Sequence, residues 1–133
     1  MKVKAIQALL FSPVIAEELG KIDEAVFLHY ICFWVQVNKE KVSKKHLKAG
    51  KYWTYGSDTF FAREVFPWLT PAKIKRIRKN LVRADYIETG CFNSFGPDKT
   101  TWYTFTDKVY EVVGLKYIDK ILKKKNQPSY LLR

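Results

Sequence analysis

Cysteine is scarce in this chain, which has only Cys32 and Cys91 among its 133 residues. Both lie in apolar stretches, and their spacing fits neither a disulfide framework nor a zinc site. A disulfide-stapled secreted domain is thereby excluded, and a reducing, cytoplasmic location is predicted. His29 stands one helical turn from Cys32, but no second pair of ligands accompanies them. We therefore expect a core histidine beside a core cysteine, with no metal and no cofactor.

Long hydrophobic runs are also missing. The longest, residues 25–37, has 13 residues and falls short of the roughly 20 that a membrane-spanning helix needs. The apolar stretch 5–15 is broken by a glutamine, a serine and a proline, and it lacks the cleavage site of a signal peptide. We expect no membrane partner. The 25–37 run is instead predicted to lie in a buried helix that starts at an Asp23 cap, ends near Asn38 and forms the centre of the core.

Catalytic patterns are absent as well. The sequence has no glycine-rich phosphate loop and no Ser-His-Asp candidate. The carboxylates between residues 17 and 24 have the positions of helix-end charges rather than those of a metal-binding nuclease cluster. The sequence therefore predicts a protein that is not an enzyme and has no catalytic residues.

Acidic residues are outnumbered, with 13 Asp and Glu against 24 Lys and Arg, for a formal net charge of +11. Such a balance indicates a polyanionic partner, which is DNA, RNA or an acidic membrane surface. Lysines concentrate in residues 38–51, which are predicted to form a loop. A solvated surface is the commoner meaning of such a loop, and contact with a DNA backbone is the alternative.

Hydrophobic residues make up 47% of the chain, enough for a core, and the length suits one domain. We predict a domain over residues 1–125 and a flexible tail over 126–133. Its first short helix should start at Ser12 and Pro13, stop at Gly20 and point Val14, Ile15 and Leu19 inward.

Two closely spaced helices follow, and such a pair predicts a helix-turn-helix. The first is expected over residues 57–66, with Ser57 as its cap. The second should run from Thr70 to Ala84, with Thr70 as N-cap and Pro71 in the first turn. Its apolar stripe is Ile74, Ile77 and Leu81.

The opposite side of this second helix is basic. Taken alone, such a charge run more commonly means an ordinary solvated lysine face. The closely spaced preceding helix favours DNA binding instead. The helical period places Ala72, Arg76, Lys79 and Arg83 outward, with Lys73 and Asn80 on one flank and Lys75 on the other. Arg76 and Asn80 are the candidates for reading bases, and Arg83 for phosphate. Thr70 opens the helix where free amides favour an anion.

A strand, a turn and a returning strand are expected next, over residues 86–92, 93–98 and 100–105. A hairpin after a recognition helix is a wing, and residues 52–55 would add a third strand. Asn93 and Ser94 at the tip and Lys99 at the base are candidates for DNA contact. We expect Trp102, Tyr103 and Phe105 to pack rather than to stack on bases. The predicted fold is therefore mainly α with a small antiparallel sheet, a winged helix-turn-helix.

A further helix is expected after Asp107, bent or broken at Gly114. Its stripe, Leu115, Ile118, Ile121 and Leu122, either covers the core or meets a partner. We hypothesise that it pairs two subunits as a homodimer.

Five segments together resemble the N-terminal winged-helix domain of phage and plasmid replication proteins, a group that includes replisome organisers and DnaD-like primosome proteins. They are residues 20–28 with Phe33 and Trp34, then 51–55, 66–70, 75–81 and, as the most specific, 98–103 (Asp-Lys-Thr-Thr-Trp-Tyr). The resemblance implies DNA binding at a replication origin through the Thr70–Arg83 helix and the Asn93–Lys99 wing, with replication proteins as partners.

One position departs from this resemblance. Asp85 stands where the family usually has glycine, and we expect it to adopt the left-handed conformation that aspartate tolerates. A winged-helix transcriptional regulator, working with transcription proteins, is the first alternative function. A winged-helix interaction module that binds no nucleic acid is the second.

Overall fold

A long central helix, α2 (Ile22–Glu40), organises the computed structural model, which describes residues 9–93 and 98–113. Phe27, Ile31 and Cys32 on this helix have no exposed surface. Helix α1 (Pro13–Leu19), helix α4 (Pro71–Arg83) and strand β5 (Thr101–Phe105) all pack against it. The prediction of a central core helix is confirmed. Its start was predicted wrongly, because Lys21 holds the cap position and Asp23 lies in the first turn. There the carboxylate suits the positive end of the helix dipole.

The preceding helix, α1 (Pro13–Leu19), has the predicted ends. The Ser12 side chain accepts a hydrogen bond from the Ile15 amide at 3.3 Å, and Gly20 ends the helix at a φ of 71°. Ile15 is buried as predicted, but the inward placement of Val14 is wrong, since this side chain is 51% exposed. Adjacent helical residues point about 100° apart, so one short helix cannot bury both against α2.

The lysine-rich stretch after α2 is folded, although a loop was predicted over residues 38–51. A 3₁₀ turn (Lys44–His46) leads into a two-stranded hairpin of β1 (Leu47–Lys48) and β2 (Lys51–Tyr52). Ala49 and Gly50 form its turn with φ values of 51° and 76°, and positive φ at both positions is typical of a tight hairpin turn. This stretch therefore has a defined backbone.

Two helical segments joined by a short turn follow. The first, α3 (Asp58–Phe60), is capped by Ser57 as predicted and widens into a π turn at Phe61–Val65. The Phe66 amide donates to the Phe61 carbonyl at 2.7 Å, a bond across five residues. Helix α4 (Pro71–Arg83) then starts at Thr70, whose hydroxyl accepts a hydrogen bond from the Lys73 amide. The predicted cap, proline and length of α4 are confirmed.

The sheet and the last described helix complete the fold. Strands β3 (Thr54–Gly56), β5 (Thr101–Phe105) and β4 (Ile87–Gly90) form an antiparallel sheet in that spatial order, so the predicted third strand is confirmed. Between α4 and β4, Asp85 has a φ of 65°, the left-handed conformation expected of it. Helix α5 (Lys108–Val113) packs against α1. The predicted Ser94 contact, the 115–122 stripe and the 126–133 tail lie outside the described residues.

The core is built largely from aromatic rings. Tyr103 is fully buried and contacts the Phe27 and Phe61 rings, while Trp102 is 7% exposed on the other face of the sheet. The prediction that the β5 aromatics pack is confirmed. The fold is mainly α with small antiparallel sheets, as predicted.

The described residues show how long and apolar the helices are, and they show the charge state of His29 and Cys32. Over residues 9–93 and 98–113, no helix has the length and apolar character that crossing a membrane requires. Burial lowers the pKa of the half-buried His29 to about 4 and raises the pKa of the fully buried Cys32 thiol, so both groups are neutral near pH 7.

Candidate nucleic-acid interface

Helix α4 presents an exposed basic face. The stripe Ile74, Ile77 and Leu81 is buried as predicted, because it packs against α2 and the sheet. Thr70 and Ala72 are exposed at the start of the helix. Its other side carries five exposed cationic residues, and none forms an ion pair with another described residue: Lys73, Lys75, Arg76, Lys79 and Arg83. Residues 71–83 contain no acidic side chain, so positive charge on this face is not neutralised locally.

Asn80 does not belong to this face, and its predicted outward placement is wrong. The side chain is half-buried, and its Nδ2 donates to Glu24 Oε2 on α2 at 2.8 Å. Glu24 itself is 4% exposed, so its carboxylate depends on partners such as this amide. Asn80 therefore joins α4 to α2, and its amide is not available for contact with a base.

Arg78 has a positioning role that the sequence did not reveal. It forms a two-point ion pair with Asp58 at the start of α3, with Nη2 3.2 Å from Oδ2, and its Nη1 donates to the Tyr103 hydroxyl at 2.9 Å. Burial would lower the pKa of Arg78, but hydrogen bonds and charge from Asp58 and Tyr103 raise it overall. One guanidinium thus ties α4 to α3 and to β5, and it fixes the angle at which the basic face is presented.

The turn between β4 and β5 is organised by Asn93, which was predicted at the tip as a DNA contact. Its Nδ2 donates to the Thr100 carbonyl at 2.9 Å, and its Oδ1 accepts from Trp102 Nε1 at 2.7 Å. Both ends of the amide are thereby used inside the protein, which does not support the DNA contact predicted for Asn93. Lys99 is exposed at the base of the turn, as predicted.

We predict that Asn93→Ala lowers the free energy of unfolding by about 1–2 kcal/mol, because it leaves the indole N–H of the buried Trp102 without its acceptor. Urea unfolding measures this loss. Asn93→Asp retains the acceptor and should cost less, and Lys99→Ala, on an exposed side chain, should stay within about 0.5 kcal/mol of wild type. Equal stability of Asn93→Ala and wild type would show that the amide does not hold the turn.

Comparisons of this chain with protein-family models, with curated proteins and with solved structures gave no match. A function for the α4 surface therefore rests on the residues and charges of this chain.

Proposed function

We propose that this protein is a winged helix-turn-helix protein that binds double-stranded DNA in a sequence-specific manner and catalyses no reaction. The observation that carries the proposal is the basic face of α4, where five exposed cations have no ion-pair partner among the described residues. An α-helix fits the major groove of B-DNA, and the second helix of such a pair is normally the one placed there. Lys99, exposed at the base of the segment between β4 and β5, would then belong to the wing.

The exposed side chains divide into two roles. Arg76 lies near the middle of the open face, where its planar fork suits the two acceptors of guanine. Lys73, Lys79, Arg83 and Lys99 are assigned to phosphates, which position the protein but carry no sequence information. The Thr70 end of α4 adds a helix N-terminus for the same backbone.

The biological role that we propose is replication initiation at a phage or plasmid origin, in the cytoplasm and together with replication proteins. Its support is the resemblance of five segments to replisome organisers and DnaD-like proteins: residues 20–28 with Phe33 and Trp34, 51–55, 66–70, 75–81 and 98–103. Selection of bound genomic fragments tests this role. Fragments from an origin support replication, whereas fragments from promoters support the transcriptional regulator. The proposed homodimer is tested by light scattering with and without DNA.

The binding proposal predicts a steep dependence of duplex affinity on salt. The logarithm of the binding constant should fall with the logarithm of salt concentration with a slope of about −0.9 for each phosphate contacted. Fluorescence anisotropy with labelled duplexes at four salt concentrations measures the slope. A flat response or no duplex binding would contradict the proposal and favour the protein-interaction module.

Base reading is assigned to Arg76 alone. We predict that Arg76→Ala weakens binding to the selected site by about 1–3 kcal/mol and reduces the ratio of selected-site to scrambled-site affinity. Arg83→Ala is the matched control, because losing a phosphate contact should weaken both duplexes alike. Asn80→Ala should leave the ratio unchanged. An unchanged ratio in Arg76→Ala would place sequence reading elsewhere on the protein.

A further inference from the structure

The structured lysine segment (residues 41–48) carries Lys41, Lys44, Lys45 and Lys48 beside the sheet. We infer that this segment is a second binding site for the DNA backbone, separate from α4 and continuous with the wing. The inference rests on the proposed function, since it extends the surface of the same duplex complex. It identifies the lysine segment as a phosphate-binding element rather than a solvated loop.

The backbone of the segment is pinned at several points. Asn38 Nδ2 donates to the Trp53 carbonyl at 2.8 Å, the Trp53 amide donates to the His46 carbonyl at 2.9 Å, and Trp53 Nε1 donates to the Lys48 carbonyl at 2.9 Å. Val42 is held at a φ of 50°, which is unfavourable for a β-branched residue and persists only where its surroundings impose it. A lysine run that served only for solvation would not require these constraints.

Two lysine side chains lie over rings of the outer sheet face. The Lys45 ammonium is 5.3 Å from the centroid of the Tyr55 ring, and the Lys48 ammonium is 5.7 Å from that of Trp102. Trp102 also donates to Asn93, the residue that holds the base of the wing. The lysine segment and Asn93 thus contact the same ring, which places the segment next to the described start of the wing.

Residues 41–48 carry only positive side-chain charges. No acidic residue occurs between Glu40 and Asp58, and within the described residues only Lys51 among the lysines of this interval has an ion-pair partner, Glu88. Lys44 and Lys45 are exposed, and Lys48 is partly exposed. Ammonium groups without carboxylate partners complement a row of phosphates. Because the backbone that carries them is already fixed, binding would cost less conformational entropy than ordering a flexible loop.

Base stacking is disfavoured at the same place. The Tyr55 ring stacks on His46 with an interplanar angle of 15° and also contacts Trp102 at 4.7 Å between centroids. With these neighbours, the ring does not offer a free face to a base. A nucleic acid would therefore interact here through its phosphates with the lysine ammonium groups. A duplex that extends past the wing would supply these phosphates.

The experiment compares Lys44→Gln/Lys45→Gln/Lys48→Gln with wild type on two duplexes. One carries only the site contacted by α4 and the wing, and the other adds about ten base pairs on each side. On the extended duplex, the triple variant should lower the magnitude of the salt slope by about two to three, at 0.9 per phosphate. On the short duplex, the two proteins should bind alike.

Three controls make the result decisive. Lys44→Arg/Lys45→Arg/Lys48→Arg retains the charges and should bind as wild type, while Lys39→Gln removes one charge outside the segment and should have no effect that depends on duplex length. Circular dichroism checks that each variant is folded. If wild-type binding depends on salt but the triple variant has the same salt slope on the extended duplex, this inference alone is overturned. Wild type without duplex affinity overturns the proposed function with it. If the triple variant loses binding to anionic vesicles while its DNA binding matches that of wild type, the segment is assigned to a lipid surface. This outcome also overturns the inference.

Discussion

Replacing Arg78 by alanine is expected to lower the free energy of unfolding by about 2–4 kcal/mol. The Arg78 and Asp58 side chains are only 17% and 28% exposed, so removal of the guanidinium leaves a poorly solvated carboxylate at the start of α3. It also leaves the buried Tyr103 hydroxyl without the donor that it has at 2.9 Å. Urea unfolding followed by tryptophan fluorescence measures the loss.

Nearby positions provide the controls for Arg78. Arg76→Ala removes an exposed arginine from the same helix and should change stability by less than about 0.5 kcal/mol. Arg78→Lys retains a charge but loses the two-point geometry, so it should fall between alanine and wild type. A double-mutant cycle with Asp58→Ala isolates the pair. If Arg78→Ala were as stable as Arg76→Ala, the ion pair would not hold α4 against α3.

Replacing Gly56 by alanine should cost about 2–3 kcal/mol of unfolding free energy. An added Cβ would lie 2.6 Å from Phe61 Cζ and 2.8 Å from its Cε2, and Phe61 is fully buried between α2 and the sheet. Gly56 does not have a positive φ, so the loss would come from overpacking rather than from backbone strain. Thermal and urea unfolding of the variant measure it.

Gly90 offers a matched comparison on the same sheet. A Cβ there would meet Phe92 Cε2 at 2.9 Å, but the Phe92 ring is only partly buried and can move away. Gly90→Ala should therefore cost less than Gly56→Ala. Phe61→Leu should recover part of the loss when combined with Gly56→Ala, because it makes room for the methyl group. Equal costs at the two glycines would refute the overpacking account.

Features encoded locally were predictable from the sequence. The start of α4 follows from Thr70 and Pro71, and its buried stripe follows from the helical period, so neither depends on distant residues. The strands of the main sheet were predictable for a similar reason, since β-branched and aromatic residues are bounded by turn residues.

Features that depend on distant partners were not predictable. The helical period placed Asn80 near the open face but gave no sign of Glu24, which is 56 residues away in the chain. The hairpin of β1 and β2 has strands of only two residues, and the Trp53 indole holds it in place rather than any local pattern. Arg78 received no role from the sequence, because only the fold brings Asp58 and Tyr103 beside it.

The π turn at Phe61–Val65 fixes the number of residues that can separate Phe61 from Phe66. Residues five apart in a regular α-helix point about 140° away from each other, yet the Phe61 and Phe66 rings both lie 5.4 Å from the Phe27 ring. The extra residue in the wider turn brings both rings to one side. A deletion of one residue here would withdraw one ring from the core. Related chains should therefore keep the Phe61 to Phe66 spacing fixed.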